Sequence, residues 1–236
     1  ACASGSRQKE TAGAPVVFPP APAEPVIEWL TAYATLSDVG AGGSSFRRAL
    51  TGESDDEPGL VAPTAVAIGP DATLYVVDQE LDGLVVINES QERFELFRGD
   101  GRASLSRPTG VAVDDAGRVF VTDAAGRVVH VFGPDLGYLK SLGGPDLFVR
   151  PTGLAITDDG GRLAVCDTGG HAVYLLDPQS GQVLFSLGGV SRSSAEGEFH
   201  TPYTVTFDQQ GYLYVSDYLN FRIQVFAPDG TFEMAF

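Results

Sequence analysis

The chain has 236 residues, a length that suits one all-β domain or one compact α/β domain. Gly (29) and Pro (15) punctuate a sequence that is still 43% hydrophobic, which excludes long helices and coiled coils and points to a globular chain of short elements. Acids outnumber bases 31 to 15, for a net charge of −16, so phosphate backbones and anionic headgroups are repelled: nucleic acid is excluded as a partner, and membrane attachment must be covalent or made through another protein.

In chain order, residues 1–25 are rich in Ala, Pro, Ser and Gly and read as a flexible tether. No basic-then-apolar leader precedes them, so the chain is expected to be processed or trimmed. Val26–Leu36 is apolar enough to be ordered, and its Trp29, Tyr33 and Leu36 suit a strand or a helix turn. Gly40–Ser45 is a loop without the terminal Gly of a dinucleotide fingerprint or the Lys of a phosphate loop. Phe46–Leu50 sits where the outer strand of a blade would lie, and Glu53–Glu57 reads as a solvated acidic loop.

From Pro63 onward one pattern repeats four times. Pro63-Thr-Ala-Val-Ala-Ile, Pro108-Thr-Gly-Val-Ala-Val, Pro151-Thr-Gly-Leu-Ala-Ile and Pro202-Tyr-Thr-Val-Thr-Phe each lead through a turn into an apolar stretch ending in Asp. Those stretches are Leu74–Asp78, Val119–Asp123, Leu163–Asp167 and Leu213–Asp217, with Pro-to-Asp offsets of 15, 15, 16 and 15 residues. The extra residue fits the longer turn at Asp158–Gly161. A third stretch follows each Asp (Leu84–Asn88, Val128–Phe132, Ala172–Asp177, Phe221–Phe226), then a fourth (Phe94–Phe97, Tyr138–Leu142, Val183–Leu187, Thr231–Phe236). Four short strands per repeat, recurring in phase, predict an all-β protein with four complete four-stranded propeller blades. Residues 26–236 are then the propeller, and 26–52 supply part of a further blade.

These repeats resemble NHL repeats, and residues 26–236 resemble bacterial six-bladed NHL-type propeller lipoproteins. Asp217-Tyr-Leu-Asn-Phe-Arg-Ile-Gln-Val-Phe226 carries the likeness best, followed by Asp167-Thr-Gly-Gly-His-Ala-Val-Tyr-Leu-Leu176, in which His171 occupies the repeat histidine. The first two units keep the Asp and lose the rest. The resemblance implies an incomplete six-bladed ring, because six blades need further units after Phe236. It also makes Cys2, at the head of a polar tether, a lipidation site. The implied role is a non-catalytic, exported interaction or assembly subunit on the periplasmic or outer side of a bacterial membrane. An accessory subunit of an electron-transfer complex is the most concrete setting, with cytochromes or other redox proteins as partners and the lipid as membrane anchor.

The residues that could carry chemistry are few. Asp78, Asp123, Asp167 and Asp217 end their strands before turns, and each is expected to accept backbone N–H groups as a structural repeat position. His130 alternates out of its strand, His171 lies in a turn, and His200 is placed at the channel mouth, alone. No set of about three zinc ligands plus water is apparent. Propeller lactonases hold calcium through Glu, Asn and Asp, but Asn occurs here only at 88 and 220, both read as outer-strand positions. Cys166 takes the place of Val77, Thr122 and Ser216 in the repeat and reads as an inert buried thiol. No Cys-x-x-Cys-His is present for covalent haem. No catalytic, metal or cofactor residue is therefore expected. The alternative is a metal-dependent hydrolase or lyase with its site at the channel mouth.

Overall fold

A computed structural model describes residues 59–189 and 191–236, together with two short strands nearer the N-terminus. Those strands, β1 (Val16–Phe18) and β2 (Ile27–Trp29), pair antiparallel with Val17 opposite Glu28. β1 lies within the stretch 1–25 expected as a tether, and β2 lies beyond it. Cys2, the loops at 40–45 and 53–57, and most of the partial blade expected over 26–52, Phe46–Leu50 included, lie outside the described residues.

The remaining described residues contain four four-stranded antiparallel blades. Blade 1 comprises β3 (Pro63–Ile68), β4 (Leu74–Asp78), β5 (Gly83–Asn88) and β6 (Arg93–Phe97). Blade 2 comprises β7 (Pro108–Val113), β8 (Val119–Asp123), β9 (Val128–Phe132) and β10 (Tyr138–Gly143). Blade 3 is built from β11 (Pro151–Ile156), β12 (Leu163–Asp167), β13 (Ala172–Leu176) and β14 (Val183–Gly188). Blade 4 is built from β15 (Pro202–Phe207), β16 (Leu213–Asp217), β17 (Arg222–Phe226) and β18 (Phe232–Ala235), with one 3-10 turn at Tyr218–Asn220. Each blade is a plain meander, every strand pairing with the next in sequence.

The repeat spacing has a direct cause. In every blade the strand-entry Pro lies opposite the strand-ending Asp, and a bulge follows immediately. Proline has no N–H to give to the ladder, so it is tolerated as the first residue of a strand. The 16-residue offset of blade 3 arises where Thr157 N bonds Arg162 O across a turn one residue wider than the Asp114–Arg118 turn of blade 2. The turn after each Asp ends on a left-handed residue: Asp82, Arg127, His171 and Phe221, with φ between 48° and 54°. None is glycine, so the strain of that conformation is held by the surrounding hydrogen bonds.

The core lies between blades. Alternate residues of each strand face the preceding and following blade, and three apolar clusters fill the three joints. Val111 and Val121 of blade 2 meet Tyr75 and Val77 of blade 1. Leu154 and Val165 of blade 3 meet Phe120 and Val129 of blade 2, and Val205 and Val215 of blade 4 meet Cys166 and Val173 of blade 3. A residue three positions before each strand-entry Pro enters the joint: Leu105, Phe148 and Phe199 are all buried. The two phenylalanines fit because glycine lies beneath them. A Cβ on Gly143 would come within 2.2 Å of the Phe148 ring, and one on Gly188 within 2.7 Å of Phe199.

Hydroxyls of the first strands and of the turn after β12 join adjacent blades. Thr109 Oγ1 donates to Pro151 O (3.1 Å), Thr152 Oγ1 to Tyr203 O (3.2 Å) and Thr168 Oγ1 to Pro202 O (2.9 Å), each reaching the next blade. The backbones approach so closely there that a Cβ on Gly153 would lie 2.5 Å from Tyr203 O. The small residues near the Pro are therefore a packing requirement.

Candidate interaction surface

The four repeat aspartates are almost wholly buried and occupied. Asp78 accepts from the N–H groups of Val61 (2.7 Å) and Ala62 ahead of its blade, and from Glu80 and Leu81 in its own turn. Asp123 does the same with Ser106, Arg107, Ala125 and Gly126, and Asp167 with Val149, Arg150 and Gly170. Each carboxylate thus fastens the incoming connector to the turn after the second strand. Such a site has its lone pairs committed and little left for a metal or a substrate.

Blade 4 departs from this scheme. Asp217 accepts from His200 N (2.7 Å), Asn220 Nδ2 (2.8 Å), Arg222 Nε (2.9 Å) and Gln224 Nε2 (3.2 Å). Asn220 therefore lies in the turn and not on an outer strand. The same side chains hold the connector from blade 3, the longest of the three between blades: Asn220 Nδ2 donates to Ser193 O, Arg222 to the carbonyls of Ser194, Ala195 and Glu198, and Gln224 Nε2 to Glu198 O. The Asp-x-x-Asn-x-Arg-x-Gln pattern is a latch for that loop.

His200 is not alone. Its ring lies 5.9 Å from that of His171, and His171 Nδ1 accepts the Thr201 N–H at 3.2 Å. The two are 29 positions apart in sequence, and the approach of the blade 4 connector to the blade 3 turn brings them together. Burial, then the Arg192 and His200 charges, hold the His171 imidazole below its ordinary pKa. Burial also lowers His130, whose Nδ1 contacts Ser141 Oγ at 2.9 Å. A histidine held neutral by the fold takes up a proton more readily once unfolded, so its contribution is present at neutral pH and is lost as pH falls through the usual imidazole range near ~6.5. Urea unfolding is expected to show stability falling between about pH 7 and pH 5. His171→Phe should make that slope shallower, and an unchanged slope would mean that His171 does not titrate with folding.

Cys166 is fully buried, and burial followed by the neighbouring Asp167 charge raises its thiol pKa far above the ordinary value. It is a packing residue and not a nucleophile. Among the described residues no group of three His, Cys, Asp or Glu side chains is placed to hold a metal ion.

The feature that stands apart is the trailing face of blade 4, the face that in blades 1–3 meets the next blade. At positions where blade 3 has the buried Thr152, Thr168 and Val173, blade 4 exposes Tyr203, Tyr218 and Ile223. Phe221, the counterpart of His171, is 91% exposed. Met234, opposite Val225 on β18, and Phe236, bonded to Ile223, complete the patch at 54% and 66% exposed. Tyr203 and Tyr218 stack with ring centroids 6.1 Å apart. A recess of about 330 Å³ opens among Tyr218, Phe221, Arg222, Ile223 and Phe236, above Asp217. In blade 3 the matching ground is covered by Phe199 and the connector that follows it. In blades 1–3 the equivalent face is covered by the blade that follows. The repeat pattern did not disclose the exposure in blade 4, because Ile223 and Val173 look alike in sequence and only their neighbours differ.

The NHL repeat model matches residues 105–132 and 148–173 of the chain. No curated protein matches it. Among solved structures, a streptogramin B lyase superposes with a TM-score of 0.60 at 14% identity, over 73% of this chain and 53% of the other. The hydrazine synthase of Kuenenia stuttgartiensis gives 0.58 at 18% identity, over 78% and 50%. A gluconolactonase from Xanthomonas campestris gives 0.58 at 18%, over 73% and 61%. The chain thus spans less than two thirds of each of these structures. At such identities the likeness reports the fold. It nevertheless corrects one expectation: lyases and a gluconolactonase share this architecture, so a non-enzymatic role is not supported. The strand order and the superposed structures agree on one architecture, a β-propeller with four four-stranded blades described, in which two segments match the NHL repeat.

Proposed function

We propose that this propeller is an assembly subunit that takes a folded β-sheet partner onto the trailing face of blade 4. The observation that carries the reading is the exposure of Tyr203, Tyr218, Phe221, Ile223, Met234 and Phe236 where the corresponding positions of blade 3 are covered by the next blade. The occupant that suits such a face is another sheet of the blade type, because the three joints already present are built from that contact. Export to the periplasmic or outer side of a bacterial membrane, with a lipid on Cys2, is part of the proposal and rests on the N-terminal sequence. A membrane electron-transfer complex is the setting that the lipoprotein resemblance favours. The net charge of −16 favours association with basic partners and makes it weaken with salt. Catalysis stays compatible with this reading, since enzymes share the fold.

The test is purification of the native protein from membranes in mild detergent. It should be retained in a complex, and Phe221→Asp, at an exposed position, should weaken retention by about tenfold or more, the effect of ~1.4 kcal/mol at a binding face. Elution of the native protein alone, or equal retention of the variant, would contradict the proposal.

A further inference from the structure

We propose that Ser141 is the nucleophile of a site on the edge strand of blade 2 that cleaves carboxylic esters, with His130 as its base and Tyr138 beside it. The register assembles the three side chains. His130 on β9 lies directly opposite Ser141 on β10, the edge strand, and Phe132 lies opposite Tyr138. Opposed residues of an antiparallel pair share a face, and so do residues two apart along a strand. Tyr138 and Ser141 are three apart and would point to opposite faces of a regular strand. The bulge between Tyr138 and Lys140 adds the residue that brings them to the same face. His130 Nδ1 then lies 2.9 Å from Ser141 Oγ, and Tyr138 Oη lies 3.0 Å from the same oxygen.

The blade repeat does not call for this set. The positions equivalent to His130 and Ser141 are Val85 and Leu96 in blade 1, Tyr174 and Ser186 in blade 3, and Gln224 and Ala235 in blade 4. Only blade 2 places an imidazole against a hydroxyl there. Ser141 is exposed, so an ester can reach it. The His130 ring is half-buried, with the rings of Phe132 and Tyr138 at 6.1 and 6.3 Å. The charged groups around the set are Asp123 and Arg102, which stands 5.8 Å from the centre of the Tyr138 ring and is itself paired with Asp100. Burial, opposed by the Asp123 charge, holds the imidazole below its ordinary pKa, so it is neutral near pH 7 and can accept a proton. In that state Ser141 donates to His130 Nδ1 and Tyr138 donates to Ser141 Oγ, the arrangement of an activated nucleophile. Oγ attacks the ester carbonyl carbon as its proton passes to His130. On collapse the bond to the leaving oxygen breaks, that oxygen takes the proton from His130 and departs as an alcohol, and the acyl group stays on Oγ. Water then attacks the acyl carbon by the same route, which releases the carboxylic acid and restores Ser141. The Tyr138 O–H is the donor at hand for the oxyanion formed in each half.

A fluorophosphonate, which phosphonylates an activated serine with loss of fluoride, tests this on the full chain. Peptide mass spectrometry locates the adduct, and hydrolysis of p-nitrophenyl acetate is read alongside. Ser141 should be labelled at least about a hundredfold faster than Ser186, which is exposed at the matching position of blade 3 and has no histidine opposite. Ser141→Ala should remove the adduct and the ester hydrolysis. His130→Gln should slow both by about a hundredfold or more, and Tyr138→Phe should slow hydrolysis by about tenfold or more. In the parent, labelling should fall as pH drops through a His130 value below ~6.5, because an imidazolium cannot take the serine proton. That profile should vanish in His130→Gln. Circular dichroism of each variant, matching the parent, keeps a folding defect from being mistaken for a lost base, and the comparison with Ser186 needs no variant at all. Ser141 labelled no faster than Ser186, an unchanged rate in His130→Gln, or a pH profile that survives that substitution would each overturn the proposal. The assembly role stands apart from this result, since it rests on blade 4 and is tested by Phe221→Asp.

Discussion

Asp217→Ala is expected to cost about 3–5 kcal/mol of folding stability, the range for removing one partner of a buried charge pair. The carboxylate is fully buried and receives the Arg222 guanidinium, two side-chain amides and the His200 N–H. Without it, donors aimed at one point lose their acceptor, and the Arg222 charge stays in place, three-quarters or more removed from water. Asp217→Asn should recover little, since the amide adds donors where only acceptors are wanted. Asp229, on an exposed turn and bonded to Thr231 N, is the control: its alanine variant should stay within about 0.5 kcal/mol of the parent. Urea unfolding reads all three. A loss below about 1 kcal/mol for Asp217→Ala would mean that the latch is replaceable by water.

Phe199→Ala should cost a similar ~3–5 kcal/mol through a different mechanism, the cavity left by a large buried side chain. The ring is fully buried between blades 3 and 4, lies 5.8 Å from that of Phe226, and rests where Gly188 has no Cβ. The backbone on both sides is held by Asp217 and by Arg222, so the site cannot readily collapse onto the gap. Because blades contact only their neighbours, the loss should fall on the docking of blade 4, and the unfolding transition should broaden or divide. A single transition with unchanged midpoint would show that the joint does not depend on this ring.

Much of the architecture was legible in the repeats, for reasons that the structure makes explicit. Pro63, Pro108, Pro151 and Pro202 open strands because each lies opposite an Asp at the end of the next strand, and an offset of 15 or 16 residues is the length of that hairpin. Cys166 is buried because the positions equivalent to Val77 and Thr122 face a joint. Other features depend on contacts that sequence does not display. The repeat aspartates reach back 16–18 residues to the connector, beyond the local turn they also close. His171 and His200 meet only because two blades meet. Nothing in Asp82, Arg127, His171 and Phe221 as residue types announces the left-handed conformation they share. The trailing face of blade 4 is the sharpest case: Ile223 and Phe236 follow the core pattern of the repeat and are nevertheless exposed.

The chain contains one methionine, Met234, on the trailing face of blade 4 and about half exposed. Its oxidation to the sulfoxide is a native reporter that needs no substitution. Peroxide treatment followed by peptide mass spectrometry, on the isolated dilute chain and on the assembly purified from membranes, compares its exposure in the two states. If this face is where the subunit docks, Met234 oxidises readily in the dilute chain and at least about tenfold more slowly in the assembly, as a side chain removed from solvent should. Equal rates in both would contradict the account at its centre.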